Sequence, residues 1–412
     1  MRKYFLLVFV FGLFGNLIAQ ISSVPIKFNG QIRVRSEVDG RDFNNDSDLN
    51  GYTLLRTRFG ATIQPLKDVN VFVQIQDSRA FGQELNTLAN SSNIDLHQAY
   101  FQINNLWNKP IQIKVGRQEL IYGNERLIGA VGWSNVGRVF DGIKWTFGRK
   151  NELDLFGMTL NESDTPVAAA ATPFTVAGRE DRGNYFYGAY YKYRSNPEYV
   201  LDLYSFFELN LNETVPGEDD LNRATIGTYN NGDFSKNIDF ETEVALQIGK
   251  RRGQDVVAFM FTGSVGYTFQ TATKPDLRIG YDYLSGMNPD DEDYNVFDNL
   301  FGTNHKFYGY MDYFVKIPAN TNNQGLQDWM VKATVPFAKK WNFNGHFHHF
   351  RAAKGVEKNF GNELDLILNY KYSSVASFII GMSFFLPGDL MEQTFLNDDF
   401  GLWSYTTLLV NF

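Results

Sequence analysis

Arg33 and Arg35 stand two residues apart, and so do Arg56 and Arg58. On an extended chain, residues two apart share a face. Each pair therefore projects two guanidinium groups to one side, with Ile32, Val34 and Phe59 on the other. Arg138 and Lys144 repeat the pattern against Ile143, Trp145 and Phe147. A guanidinium grips a carboxylate through two parallel hydrogen bonds. A row of them attracts a polyanion such as a uronate chain without one tight trap. Arg117 is ambiguous: Ile111, Ile113 and Val115 define the opposite face and take 117 with them, unless the strand end or a bulge turns it back. An acidic set follows later in the chain: Asp202, Glu208, Asp239, Glu241, Glu243, Asp282 and Asp365. The competing reading of both sets is pairing for structure alone.

Other chemistry is weaker. His346 and His348 share a strand face while His349 points away, so three imidazoles do not converge, and polar wall residues are expected rather than a metal site. Asp42-Phe43-Asn44-Asn45-Asp46-Ser47-Asp48 has calcium-ligand types at alternate positions. It lacks Gly at the sixth place and Glu at the twelfth, so it is read, like Asp290-Asp291-Glu292-Asp293, as a solvated loop. P-loop, G-x-S-x-G, H-E-x-x-H and G-x-G-x-x-G patterns are absent, and no catalytic pair stands out. Neither an enzyme nor a cofactor is expected.

The elements that must position these residues are strands. In Asp239-Phe240-Glu241-Thr242-Glu243-Val244-Ala245-Leu246-Gln247-Ile248 the even positions are mostly apolar and the odd ones mostly polar or small. The same alternation runs through 55–63 and 277–283. It predicts strands at 26–37, 52–64, 69–79, 94–104, 111–120, 138–148, 152–160, 184–194, 198–211, 222–230, 238–249, 256–269, 277–286, 326–337, 341–352, 363–372, 376–386 and 400–412, about 18 in all. Many are long enough to cross a bilayer at a tilt. Their connections alternate short and long, with eight short and nine long, except that 250–255 is brief for its set. Short turns on one side and long loops on the other mark an outer-membrane barrel.

Composition agrees. Of 412 residues 16% are aromatic and none is Cys, which excludes disulfides and thiolate sites. Mean hydropathy is −0.29, and only the N-terminus approaches an apolar run of membrane-helix length. That segment reads as a secretory signal over 1–19: Arg2 and Lys3, apolar Tyr4 to Ile18, cleavage after Ala19. The rest, 20–412, reads as a single barrel domain. Without Arg2 and Lys3, 36 basic residues face 46 acidic ones, which argues against nucleic acid as a partner. The charge is uneven: 16 basic against 12 acidic over 20–150, and 16 against 27 over 201–412. Closure would set these arcs across a lumen from each other. The final strand, with Leu408, Val410 and terminal Phe412, has the pattern that outer-membrane assembly machinery reads. Tyr185, Tyr193, Phe269, Tyr281, Tyr283 and Trp341 fall near strand ends, where interfacial aromatics belong.

Several fragments, in order, resemble the alginate-export family: Leu55-Arg56-Thr57-Arg58-Phe59-Gly60, Val115-Gly116-Arg117-Gln118-Glu119-Leu120 with Tyr122-Gly123, and Phe140-Asp141-Gly142. Further on come Thr303-Asn304-His305-Lys306-Phe307-Tyr308-Gly309-Tyr310-Met311-Asp312, His348-His349-Phe350, Glu363-Leu364-Asp365 and Phe385-Leu386-Pro387-Gly388. The resemblance covers nearly the whole mature chain. It implies a monomeric all-β, 18-stranded barrel in the outer membrane of a Gram-negative bacterium, in contact with lipid and carrying an arginine-lined conduit for an anionic polysaccharide. The acidic arc departs from a purely electropositive conduit and keeps a small-solute porin as the alternative. The segment 287–325 is long enough to fold over the mouth or into the lumen.

Overall fold

The computed structural model describes residues 24–87, 93–161, 183–215 and 217–412. The expected signal segment and part of the expected 161–183 loop lie outside them. Because every backbone N–H and C=O in a bilayer must be paired within the protein, alternating strands can span only as a closed sheet. That is the arrangement found. The strands are β1 (Ile26–Gly40), β2 (Asn50–Leu66), β3 (Val69–Ala80), β4 (Ile94–Ile103), β5 (Ile111–Gln118), β6 (Phe140–Gly148), β7 (Glu152–Asn161), β8 (Asn184–Tyr193) and β9 (Tyr199–Asn210). They continue as β10 (Leu221–Ser235), β11 (Ile238–Arg251), β12 (Gln254–Thr268), β13 (Asp276–Leu284), β14 (Leu326–Ala338), β15 (Trp341–Arg351), β16 (Asn359–Lys371), β17 (Ala376–Pro387) and β18 (Gly401–Asn411). Each pairs antiparallel with its neighbour in sequence, and β18 returns to β1.

The seam closes on a glycine. Gly30 and Phe412 exchange backbone hydrogen bonds of 2.7 and 3.0 Å, and the Phe412 ring occupies the space a Cβ at 30 would need, 2.3 Å away. Outward positions form an apolar belt: Ile32, Phe59, Ile143, Leu203, Ile279, Phe347 and Leu408 are all exposed. In water such a belt would be costly, at roughly 25 cal/mol per Å²; in lipid it is the solvated surface. Among the described residues no helix is long and apolar enough to cross a membrane.

Two boundaries differ instructively from the sequence reading. Asn231 to Asp233 look like turn residues, yet they pair with β11, Asn231 opposite Glu241 and Gly232 opposite Phe240. Ladder pairing outweighs local turn preference here. The expected loop 250–255 shrinks to Arg252 and Gly253, both at positive φ (49° and 81°), as a tight two-residue hairpin requires. A short helix, α1 (Asp389–Phe395), lies in the β17–β18 connection.

Candidate functional site: the lumen and its two inward loops

The β5–β6 loop (119–139) and the β13–β14 loop (285–325) do not stay outside. They enter the barrel and pair with each other through a parallel bridge between Ile128 and Phe301. Gly129 N–H donates to Phe301 O, Phe301 N–H to Leu127 O and Thr303 N–H to Glu125 O, each at 2.9 Å. The drive is apolar. Leu120, Leu127 and Ile128 from one loop and Phe297, Tyr308 and Phe314 from the other are buried. They share a core with the inner faces of β7 to β9, which carry Phe156, Phe186, Tyr204 and Phe206. The wet inner wall expected from alternation is therefore interrupted by an aromatic sector.

The basic wall of β1 and β2 grips the first loop by its backbone. Arg33 donates to the carbonyls of Gly132 and Trp133 at 2.9 Å and of Ser134 at 3.0 Å. Arg56 donates to Gly132 at 2.9 Å, Ser134 at 2.7 Å and the side chain of Gln31 at 2.6 Å. Arg35 reaches Trp133 O at 2.8 Å and pairs with Glu37 at 2.6 Å. Arg58 bonds Gln76 and Val136 O and lies 3.6 Å from Glu119. Lys144 lies inside, 3.6 Å from Asp154.

Two expected members sit elsewhere. Arg138 precedes β6 and belongs to the loop, where it donates to the carbonyls of Gly129, Phe301 and Gly302 and ties the two inward loops together. Burial lowers its pKa. Arg117 is on the outer surface: Gly116, at φ 126°, does not reverse the alternation, and Arg117 makes a two-pronged pair with Asp141 at 2.9 and 2.8 Å. The inward placement of Arg117 is thus corrected.

The acidic arc is inside and largely engaged. Arg126, from the tip of the first loop, reaches Asp282 at 2.5 Å and Glu243 at 3.9 Å, with its guanidinium 4.1 Å from the Phe307 ring centre. Burial opposes its charge, but Asp282, Tyr308 and Glu243 outweigh that and raise its pKa. Glu208 pairs with Arg223 at 2.6 Å, and Asp239 with Arg278. Asp202 accepts from Tyr190 and Arg194, Glu241 from Asn124 and Tyr229, and Asp365 from Ser383. The loop thus stretches between the walls, its carbonyls held by one arc and its cation by the other. Arg126 escaped the sequence reading because a loop side chain has no periodicity to aim it across the lumen; Arg223 escaped it although it stands on β10 directly across the ladder from Glu208.

A stack runs inward from β1, alongside β18. The Arg35 guanidinium lies 3.9 Å from the Trp133 ring, Trp133 stacks on His305 at 4.1 Å, and His305 stacks on Tyr310 at 4.7 Å. Asp312 holds His305 Nδ1 at 2.7 Å. A cavity of about 610 Å³, lined by Arg33, Arg56, Arg58, Trp133 and Tyr310, opens on the short-turn side. Another of about 750 Å³, lined by Tyr313, Asn320, Phe360 and Met391, lies under the long loops.

A family model described as alginate export matches residues 24–395. No curated protein matches the chain. Among solved structures of Pseudomonas aeruginosa proteins, OccK3 (OpdO) superposes with a TM-score of 0.60 at 13% identity, covering 94% of this chain and 96% of its own. OccK8 (OprE) gives 0.59 at 14%, covering 94% and 97%. The outer-membrane protein OpdK, whose structure with vanillate is also known, gives 0.56 at 12%, covering 94% and 98%. At such identities the likeness establishes the barrel alone.

Proposed function

The chain belongs to the alginate export family of outer-membrane channels, and from that premise we propose that it conducts an anionic saccharide across the outer membrane of a Gram-negative cell. One observation supports the anionic solute. Arg33 and Arg56 donate only to neutral oxygens, the carbonyls of 132–134 and the side chains of Asn135 and Gln31. Their positive charge is oriented but not cancelled, and it faces the short-turn cavity. A carboxylate sugar entering there gains attraction in a low-dielectric setting and competes for donors that the loop holds only through carbonyls. Passage then requires segment 132–136 to yield.

The test is the reversal potential of the refolded protein in a planar bilayer under a salt gradient, before and after adding oligouronate. Anion preference with current block supports the reading. A cation-preferring pore that ignores uronate overturns it. A small-solute channel is the second reading, and the loop-narrowed lumen with its two separate cavities favours it. Block by monomeric uronate alone, with no gain from longer chains, selects that alternative.

A further inference from the structure

A few strands round the barrel from the basic wall, the inner face of β14 to β17 holds a cluster that the channel reading does not use. His346 and His348 project from β15 to the same side, and Asp365 of β16 lies directly across from His346 in the ladder. One ligand atom from each of the three lies within 4.8 Å of the others. His348 is 1% exposed and Asp365 0%. The sequence reading rejected a metal because His349 points away, and it does, toward Asn362. The third ligand comes instead from the neighbouring strand.

The supporting groups are aimed as a metal site requires. Asp328 holds His348 Nδ1 at 2.8 Å. With that carboxylate ionised, as beside a bound cation, it can only accept, which places the proton on Nδ1 and leaves the Nε2 lone pair for a ligand. Ser383 donates to Asp365 Oδ1 at 2.5 Å and leaves Oδ2 free. Asp365 Oδ2 and His346 Nδ1 are both buried without a hydrogen-bond partner, as is Oε2 of adjacent Glu363. Orphaned polar atoms of this kind are costly in a folded interior. A cation held by His346, His348 and Asp365 satisfies Asp365 Oδ2 and supplies a partner for His346.

We propose that His346, His348 and Asp365 form a binding site for a divalent first-row transition ion of the Zn²⁺ type, with a fourth position left open. Two imidazoles and one carboxylate are ligands of that class, whereas Ca²⁺ and Mg²⁺ prefer oxygen alone. Tyr310 of the inward 285–325 loop stands edge-on to His346 at 5.4 Å, so the site lies where that loop meets the wall. Lys332, across from His346 on β14, interacts with Asp328 and Asp365 and is the competing cation when no metal is present.

The test uses the full-length protein, refolded in detergent and stripped with chelator. Zn²⁺ titration by calorimetry is expected to give one site per chain. His346→Ala and Asp365→Asn are expected to weaken it at least about tenfold, and Asp328→Asn about 10–100-fold through the orientation of His348. Lys332→Met is expected to tighten it. Folding of each variant is checked by its heat-modifiable gel shift. Should the wall variants not fold, Co²⁺ added to the unaltered protein provides the second reading: a visible ligand-field band of a four-coordinate nitrogen–oxygen site, displaced by Zn²⁺. Absence of Zn²⁺ binding, or binding unaffected by both His346→Ala and Asp365→Asn, overturns the proposal.

Discussion

Arg126 Nη1 lies 2.5 Å from Asp282 Oδ2 although 156 residues separate them in the chain. Both side chains are almost fully buried. Removing one partner strands the other's charge, which costs about 3–5 kcal/mol at buried pairs. Arg126→Met is therefore expected to lower resistance to denaturant and to loosen the tip of the 119–139 loop. Single-channel conductance should rise. Arg126→Met combined with Asp282→Leu should recover much of the lost stability while keeping the larger conductance. Unchanged conductance in both would show that this loop does not narrow the path.

Arg33→Gln with Arg56→Gln retains hydrogen-bond donors toward Gly132, Trp133 and Ser134 but removes two uncompensated charges. The expected outcome is a reversal potential shifted toward cations, with a smaller effect as salt is raised, since screening shortens the reach of the remaining charge. Current block by oligouronate should weaken in parallel. An identical reversal potential in the double variant would remove the basic wall from the account of selectivity.

Arg117→Ala serves as the contrast. Its partnership with Asp141 is on the outer face of the barrel, away from the lumen. Conductance and selectivity should match the unaltered protein. A clear loss of anion preference would mean that 117 faces the lumen after all.

Gly30→Val places a branched side chain where the Phe412 ring lies. Closure of β1 on β18 should slow, and less of the heat-modifiable folded form should be recovered on refolding. Phe412→Ala added to Gly30→Val should restore part of that yield by vacating the space. Equal yields for the glycine and valine forms would show that the seam tolerates a different path for the terminal ring.

Much of this architecture was legible before any coordinates. Phe59 and Arg58 had to face opposite ways on any strand, and with lipid on one side the direction of each was set. The β11 segment shows the limit. Its own alternation is plain, but nothing in Asn231-Gly232-Asp233 reveals that these residues would pair with it rather than turn. Alternation against Ile143, Trp145 and Phe147 places Arg138 on a strand with Lys144; the strand begins two residues later, and Arg138 donates to loop carbonyls instead.

The sequence by itself determined what period-two chemistry can dictate: the strands, their lipid and lumen faces, the opposed charge arcs and the side on which the long loops lie. Those properties are local, because each follows from a residue and its neighbours two places away. Tertiary structure alone decided that the 119–139 and 285–325 loops turn inward, that Arg33 and Arg56 hold carbonyls, and that Asp365 stands beside His346. These depend on strand register and on which apolar loop residues find cover across the lumen. Both are set by closure of all eighteen strands together, so no single stretch of chain carries them.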